Sequence, residues 1–481
     1  MASDLKKTAI HSTFWSAIQR FGTVGISFIS NIVLARLLGP EVFGAIGLLH
    51  VFIAISIAIL DGGFTAALIQ RKNIQQKDFS TAFIWNIVVS LILIVILYIV
   101  APYIASYYNT PILSNVLRVQ GIILFVNSLF TVQVAKLTKE FKFKILATSN
   151  LIASLIGVCV GISMAYLGFG IWSIVVQEIV RCSSQCVIVW RLSKWRPSFE
   201  FSWESFKGMF KFGLFMFLSS IIDTLYENVQ SLIIGRRFSI SELGYYTQAK
   251  KLETIPVSTA SSVVGSVLFP TFSTISDDLI RLKYVTRKNL SLITFVSFPM
   301  MLLLAIIGGN IIIILYGAKW GDSIPMFQIL CIGGMFHMLN VGNTIIFKSL
   351  GDGKTYFYLQ TIKRIICIII IAISSIYGIY ALLWCTALTQ ILMYCINMRY
   401  TKKAINYTYT EQLSDIIPNL VVTIATGAII ILLNLSNVSE SNIICITLTL
   451  VAFVAIYFIL SYTFKLKSVK LIKTIWDTVK S

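Results

Sequence analysis

Four polar stripes run through stretches that are otherwise almost wholly apolar. Ser12, Ser16, Arg20, Thr23, Ser27 and Asn31 recur at steps of four, four, three, four and four. A similar rhythm returns in Thr247, Lys251, Thr254, Ser258, Ser261 and Gly265. A shorter stripe joins Ser220, Asp223, Glu227 and Gln230, and a sparser one Gly47, His50, Ala54, Asp61 and Thr65. Steps of three and four put each set on one face of a helix. The cations Arg20, Lys250 and Lys251 could hold an anion by charge-assisted hydrogen bonds. Asp61, Asp223 and Glu227 are candidates for proton or sodium coupling. Ser16, Thr23, Ser27, Asn31, Thr247, Thr254 and Ser258 add neutral donors and acceptors for a polar cavity.

Asp223 and Glu227 are like-charged at i,i+4, so either a base such as Arg20 lies between them or one is protonated. Arg181, Lys363 and Arg364 complete the cationic candidates. Glu178 with Arg181, and Lys250 with Glu253, stand three apart and could neutralise one another. Lys363 and Arg364 have a second reading, in which they snorkel to the cytoplasmic surface. Helix packing competes for the hydroxyl positions, because small and hydroxyl residues let membrane helices approach closely. A hydrated cavity suits the charges better.

The elements that carry these stripes are set by composition. Of 481 residues, 57% are hydrophobic and 12% charged, with a mean hydropathy of +0.84. Soluble domains carry roughly 25% charged residues. The chain cannot cover a soluble surface, and disorder is excluded for the same reason. It reads as an all-α integral membrane protein. Fourteen apolar spans are expected, near 13–37, 42–68, 80–106, 113–135, 145–166, 170–190 and 208–234, then 243–270, 289–315, 324–347, 356–377, 380–398, 413–434 and 442–463. The eight cysteines show no CxxC spacing, and no HExxH or GxSxG string occurs. No metal, no cofactor and no enzyme activity are expected.

The net charge of +19 is mostly an orientation signal. With the N-terminus inside, 28 of the 39 basic residues fall in inside segments and four, Arg36, Arg236, Arg237 and Lys319, in outside loops. The positive-inside rule expects this split for an even number of spans with both termini cytoplasmic. A nucleic-acid partner is therefore not needed to explain the charge. Seven basic residues remain inside the spans, where each is costly unless it meets water or a partner.

The chain also repeats. Arg36 to Gly44, after the first span, is echoed by Arg236 to Gly244, after the seventh, at an offset of 200. Gly168-Phe169-Gly170-Ile171-Trp172 is echoed by Tyr377-Gly378-Ile379-Tyr380. Two six-span lobes of the same orientation are implied, 1–200 and 201–403, followed by spans 13 and 14 and a basic tail in 404–481. Parallel halves of this kind are a transporter architecture.

Several strings resemble the polysaccharide transporter family, the Wzx-type flippases of the multidrug/oligosaccharidyl-lipid/polysaccharide exporter superfamily. They are Leu34 to Gly44, Leu167 to Ser173, Leu243 to Leu252 and Leu268 to Ser273. The resemblance implies two six-helix lobes around a cavity lined by spans 1, 2, 7 and 8. It implies a flippase that carries undecaprenyl-pyrophosphate-linked oligosaccharide of O-antigen, capsule or exopolysaccharide across the bacterial inner membrane by alternating access. Arg20, Lys250 and Lys251 match the cationic cavity helices of that family by position; Arg181 and Lys363 match no motif. The implied partners are the lipid-linked oligosaccharide, membrane lipids and other glycan-assembly proteins. A cation-coupled multidrug exporter of the same superfamily is the first alternative, although it wants an acidic, aromatic site. A membrane glycan polymerase or ligase is the second, although the outer loops are short.

Overall fold

The computed structural model of the chain describes residues 2–71, 73–351, 353–433 and 443–480. Lys72, counted among the inside bases, and the connection 434–442 between the last two expected spans lie outside the described residues. The described residues form seventeen α-helices with no strand among them. They begin with α1 (Ala2–Leu37), α2 (Pro40–Asp61), α3 (Phe64–Gln70), α4 (Gln76–Tyr107) and α5 (Ile112–Gln120). Next come α6 (Ile122–Lys139), α7 (Phe143–Tyr166), α8 (Ile171–Ser193), α9 (Trp203–Arg237) and α10 (Ile240–Thr274). The chain continues with α11 (Leu279–Tyr316), α12 (Ser323–Ser349), α13 (Gly353–Ser374) and α14 (Ile379–Ile405). It ends with α15 (Tyr409–Leu432), α16 (Ile443–Thr463) and α17 (Lys467–Lys480). By contacts the chain divides into two compact units, Met1–Gly244 and Tyr245–Ser481.

Among the described residues each of the fourteen expected spans falls on helix, the one over 42–68 in two pieces. Among the described residues, twelve helical segments are long and apolar enough to cross a membrane, α5 and α6 together counting as one of them. The two expected spans outside that set are α8, with Glu178 and Arg181 at its middle, and α9, with Asp223 and Glu227. Both are long enough at ~1.5 Å per residue, having 23 and 35 residues. Their polarity, not their length, sets them apart. α4 shows what the apolar helices face. Its Asn86 and Ser90 are buried while Leu91, Ile92, Val95, Ile96 and Ile99 stand exposed. A polar interior with an apolar exterior is the arrangement a lipid solvent demands. The protein is a multi-pass membrane protein.

The expected single span over 42–68 is broken. α2 stops at Asp61, and Gly62 and Gly63 follow with φ of +52° and +75° before α3 begins. Only glycine adopts that left-handed region without strain. A Cβ on Gly63 would also lie 2.2 Å from the Gly213 carbonyl oxygen of α9. Two backbones meet there, so the chain must bend without a side chain.

Both sequence echoes have counterparts in the fold. Gly39 precedes α2, whose Pro40 takes a first-turn place where a missing N–H costs nothing. At the position 200 residues on, Ser239 precedes α10, and its hydroxyl oxygen accepts from the Glu242 N–H at 3.1 Å. Glu242 Oε2 accepts in return from the Ser239 N–H at 2.9 Å, closing a capping box. A Cβ on Gly44 would lie 1.8 Å from the Ile240 carbonyl oxygen; one on Gly244 would lie 1.9 Å from that of Pro40. Residues 44 and 240, and 40 and 244, are the same pair exchanged through the offset of 200. The two motif copies therefore touch reciprocally, as a two-fold relation requires. In the second echo, Gly170 and Gly378, with φ of +55° and +109°, each stand just before an isoleucine that opens a helix.

Candidate functional site

The α1 stripe turns part of its length toward α7 and α8. Thr23 Oγ1 donates to Asn150 Oδ1 at 3.3 Å, and Ser30 Oγ donates to Gln177 Oε1 at 3.3 Å. Below these bonds a cavity of about 360 Å³ opens in the first unit, among α1, α3, α6, α7 and α8. Ser16, Gln19, Thr65, Thr131, Thr138, Asn150 and Gln185 give it a neutral polar lining, beside Phe130, Val134, Phe143 and Leu146. Of the expected cavity residues, Ser16 lines it directly and Thr23 orients one of its amides. Arg181 reaches it through another, since its Nη1 donates to Gln185 Oε1 at 3.3 Å.

Arg181 is otherwise occupied on its own helix. Its Nε donates to Glu178 Oε2 at 2.9 Å, and its Nη2 pairs with Glu178 Oε1. Arg20 is exposed on α1, Ser27 is exposed one turn beyond Thr23, and Asn31 is buried. Asp61 is half-buried at the end of α2; on α9, Asp223 is half-buried and Glu227 exposed.

In the second unit Lys250 Nζ pairs with Glu253 Oε2 at 2.7 Å, and Glu253 is buried. Lys251, one residue on, is exposed. Thr247 and Ser258 are half-buried, and the exposed Thr254 donates its hydroxyl to the Lys250 carbonyl at 2.7 Å. Lys363 does not snorkel. It is 7% exposed, and its Nζ donates to Asn397 Oδ1 at 3.2 Å. Asn397 Nδ2 donates to Asn340 Oδ1 at 2.8 Å, and Asn340 Nδ2 to the Gln390 carbonyl at 2.9 Å. This chain ties α12, α13 and α14 together. Arg364 is half-buried.

One cluster escaped the sequence reading, which had used its bases only for orientation. Arg287 Nε donates to Asp415 Oδ2 at 2.7 Å and its Nη1 to Glu411 Oε1 at 3.0 Å. Lys467 Nζ donates to Asp415 Oδ1 at 3.0 Å, and Lys283 Nζ pairs with Glu411 Oε2 at 2.9 Å. Tyr407, in the turn before α15, donates to Asp415 Oδ2 at 2.9 Å. Burial, with the Asp415 carboxylate beside it, pushes the Tyr407 phenol well above its usual range, so it stays a donor. The cluster fastens the start of α17 to α11 and α15. Thr408 and Glu411 form a capping box there, and that Thr-x-x-Glu spacing was the signal in the sequence.

Comparison with known proteins places this arrangement. Residues 33–325 match the family described as "Polysaccharide biosynthesis protein". The succinoglycan biosynthesis transport protein ExoT of Rhizobium meliloti is 25% identical over 79% of this chain and 77% of its own. The lipopolysaccharide biosynthesis protein WzxC of Escherichia coli is 26% identical over 71% of this chain and 69% of its own. Among solved structures, the lipid II flippase MurJ in its inward closed conformation superposes with a TM-score of 0.77 at 16% identity. That likeness covers 94% of this chain and 98% of that one. An inward-facing MATE-family multidrug transporter gives 0.62 at 17% identity, covering 82% and 98%. At such identities the two structures establish a shared fold and nothing finer.

Proposed function

The chain belongs to the polysaccharide biosynthesis protein family, within the multidrug/oligosaccharidyl-lipid/polysaccharide exporter superfamily, and from that premise we propose that it is a flippase for undecaprenyl-pyrophosphate-linked oligosaccharide. It works in the bacterial inner membrane, with fourteen spans and both termini cytoplasmic. The functional halves follow the repeat, 1–200 and 201–403, with 404–481 outside it. Alternating access moves the glycan outward, driven by a proton or sodium gradient through Asp61, Asp223 or Glu227.

The observation that carries this reading is the placement of two bases. Arg20 and Lys251 stand exposed on the polar faces of α1 and α10, one in each half of the repeat. A pyrophosphate leaving water needs charge-assisted hydrogen bonds, and guanidinium and ammonium groups supply them. A multidrug exporter would want carboxylates and aromatic rings for an organic cation at such positions.

The test is reconstitution with a fluorescently tagged lipid-linked glycan. Wild-type proteoliposomes are expected to change the fraction of label protected from an external quencher. Arg20→Gln and Lys251→Gln should each slow that change about tenfold, the worth of one charged hydrogen bond. Wild-type protein that behaves like protein-free vesicles would overturn the proposal. So would a deletion strain that keeps its surface glycan and gains drug sensitivity.

A further inference from the structure

We infer that the cavity of the first unit is a binding site for a neutral sugar ring. The inference rests on the reading above for its biological setting, but its chemistry is argued from the cavity alone. At about 360 Å³ the space falls within the range of small-molecule sites, roughly 300–1,000 Å³. The residues lining it are all uncharged. A pyrophosphate or an organic cation would find no counter-charge on its walls.

The hydrogen bonds decide which atoms the walls offer. Asn150 Oδ1 accepts from Thr23 Oγ1 and from Ser154 Oγ, both at 3.3 Å. Gln185 Oε1 accepts from Arg181 Nη1 at 3.3 Å, and Arg181 is itself held by Glu178. Both amides thus have their oxygens engaged from behind, which leaves their NH₂ ends as the donors for a ligand. Thr131 and Thr138 show the opposite polarity. Their hydroxyls donate to the Asn127 and Val134 carbonyls of their own helix, at 2.7 and 2.8 Å. The hydroxyl oxygens then remain as acceptors.

Fixed donors and fixed acceptors around an uncharged space suit a ligand whose every group both donates and accepts. A polyhydroxylated ring is such a ligand, and Phe130 and Phe143 supply apolar surface for its C–H faces. Thr138 and Phe143 flank the turn between α6 and α7. In the proposed topology this turn is cytoplasmic, the side from which a lipid-linked glycan is loaded.

The experiment is saturation-transfer NMR on the full chain in nanodiscs. The probes are lactose, cellobiose and chitobiose at about 10 mM, above the millimolar affinities expected of single sugar contacts. At least one disaccharide should receive magnetisation from the protein, and inorganic pyrophosphate should not displace it. Asn150→Leu and Gln185→Leu should each weaken binding about tenfold. Thr138→Trp, which puts a bulky ring into the space, should abolish it, with gel filtration and melting curves confirming the fold of each variant. No transfer to any of the three probes overturns the inference, as does displacement by pyrophosphate or binding unaltered in all three cavity variants. Sugar binding without flipping by wild-type protein would refute the flippase and keep the site; flipping without sugar binding would do the reverse.

Discussion

Polar side chains lie inside both units, but they are arranged in opposite ways. In the second unit Lys363 donates to Asn397, Asn397 to Asn340, and Asn340 to the Gln390 carbonyl. Each group consumes the capacity of the next. In the first unit the bonds of Asn150, Gln185, Thr131 and Thr138 engage one end of each group and border a cavity with the other. What marks a ligand site in a membrane protein follows from this contrast. Buried polarity alone does not mark one, because a lipid solvent forces polar groups inward and onto each other. Remaining bonding capacity beside open space does.

The comparison can be strained first where the second unit is most tightly closed. The Asp415 side chain is 3% exposed and accepts from Arg287, Lys467 and Tyr407. Asp415→Ala should cost about 3 kcal/mol, toward the lower end for a broken buried pair because Arg287 and Lys467 keep access to solvent. A melting curve in detergent reads it, and limited proteolysis should show α17 released. The first unit offers a close rival of a different kind. Gly44→Ala or Gly244→Ala forces a methyl group into a backbone carbonyl and should cost about 2–3 kcal/mol. The double variant should cost little more than one alone, since the two contacts share one crossing. Additive losses would mean that the copies do not lean on each other.

A smaller effect separates closure from mere burial. Asn397→Leu leaves the Lys363 ammonium without the acceptor it now has and should cost about 2 kcal/mol. Lys363→Met removes the charge itself and should be close to neutral. The reversed order of these two melting temperatures would show that the chain of amides is not what holds Lys363 inside.

How much of this was legible in the sequence depended on where a partner lies. Glu178 with Arg181, and Lys250 with Glu253, were readable because three residues on a helix bring the partner into reach. Lys363 with Asn397, Thr23 with Asn150 and Arg287 with Asp415 were not, because tertiary packing chooses partners 34, 127 and 128 residues away. The repeat was readable because touching backbones admit only glycine, so Gly44 and Gly244 survive in both copies. The break after Asp61 was missed because its apolar flanks read as one span, although the Gly62-Gly63 pair stood at the bend.

The smallest effect is the most discriminating. Thr131→Val removes a hydroxyl that donates to the Asn127 carbonyl, but that carbonyl keeps its helical N–H partner. Gln185→Leu removes one acceptor of Arg181, which keeps both of its bonds to Glu178. Neither change leaves a buried charge without a partner, so each should cost at most about 1 kcal/mol. Melting curves taken beside Asn397→Leu measure the contrast directly. Cavity variants that destabilise as strongly as Asn397→Leu would mean that these amides close the structure as those of the second unit do. Cavity variants that melt near wild type mean that the first unit keeps its donors and acceptors at little structural cost, which is the condition for spending them on a ligand.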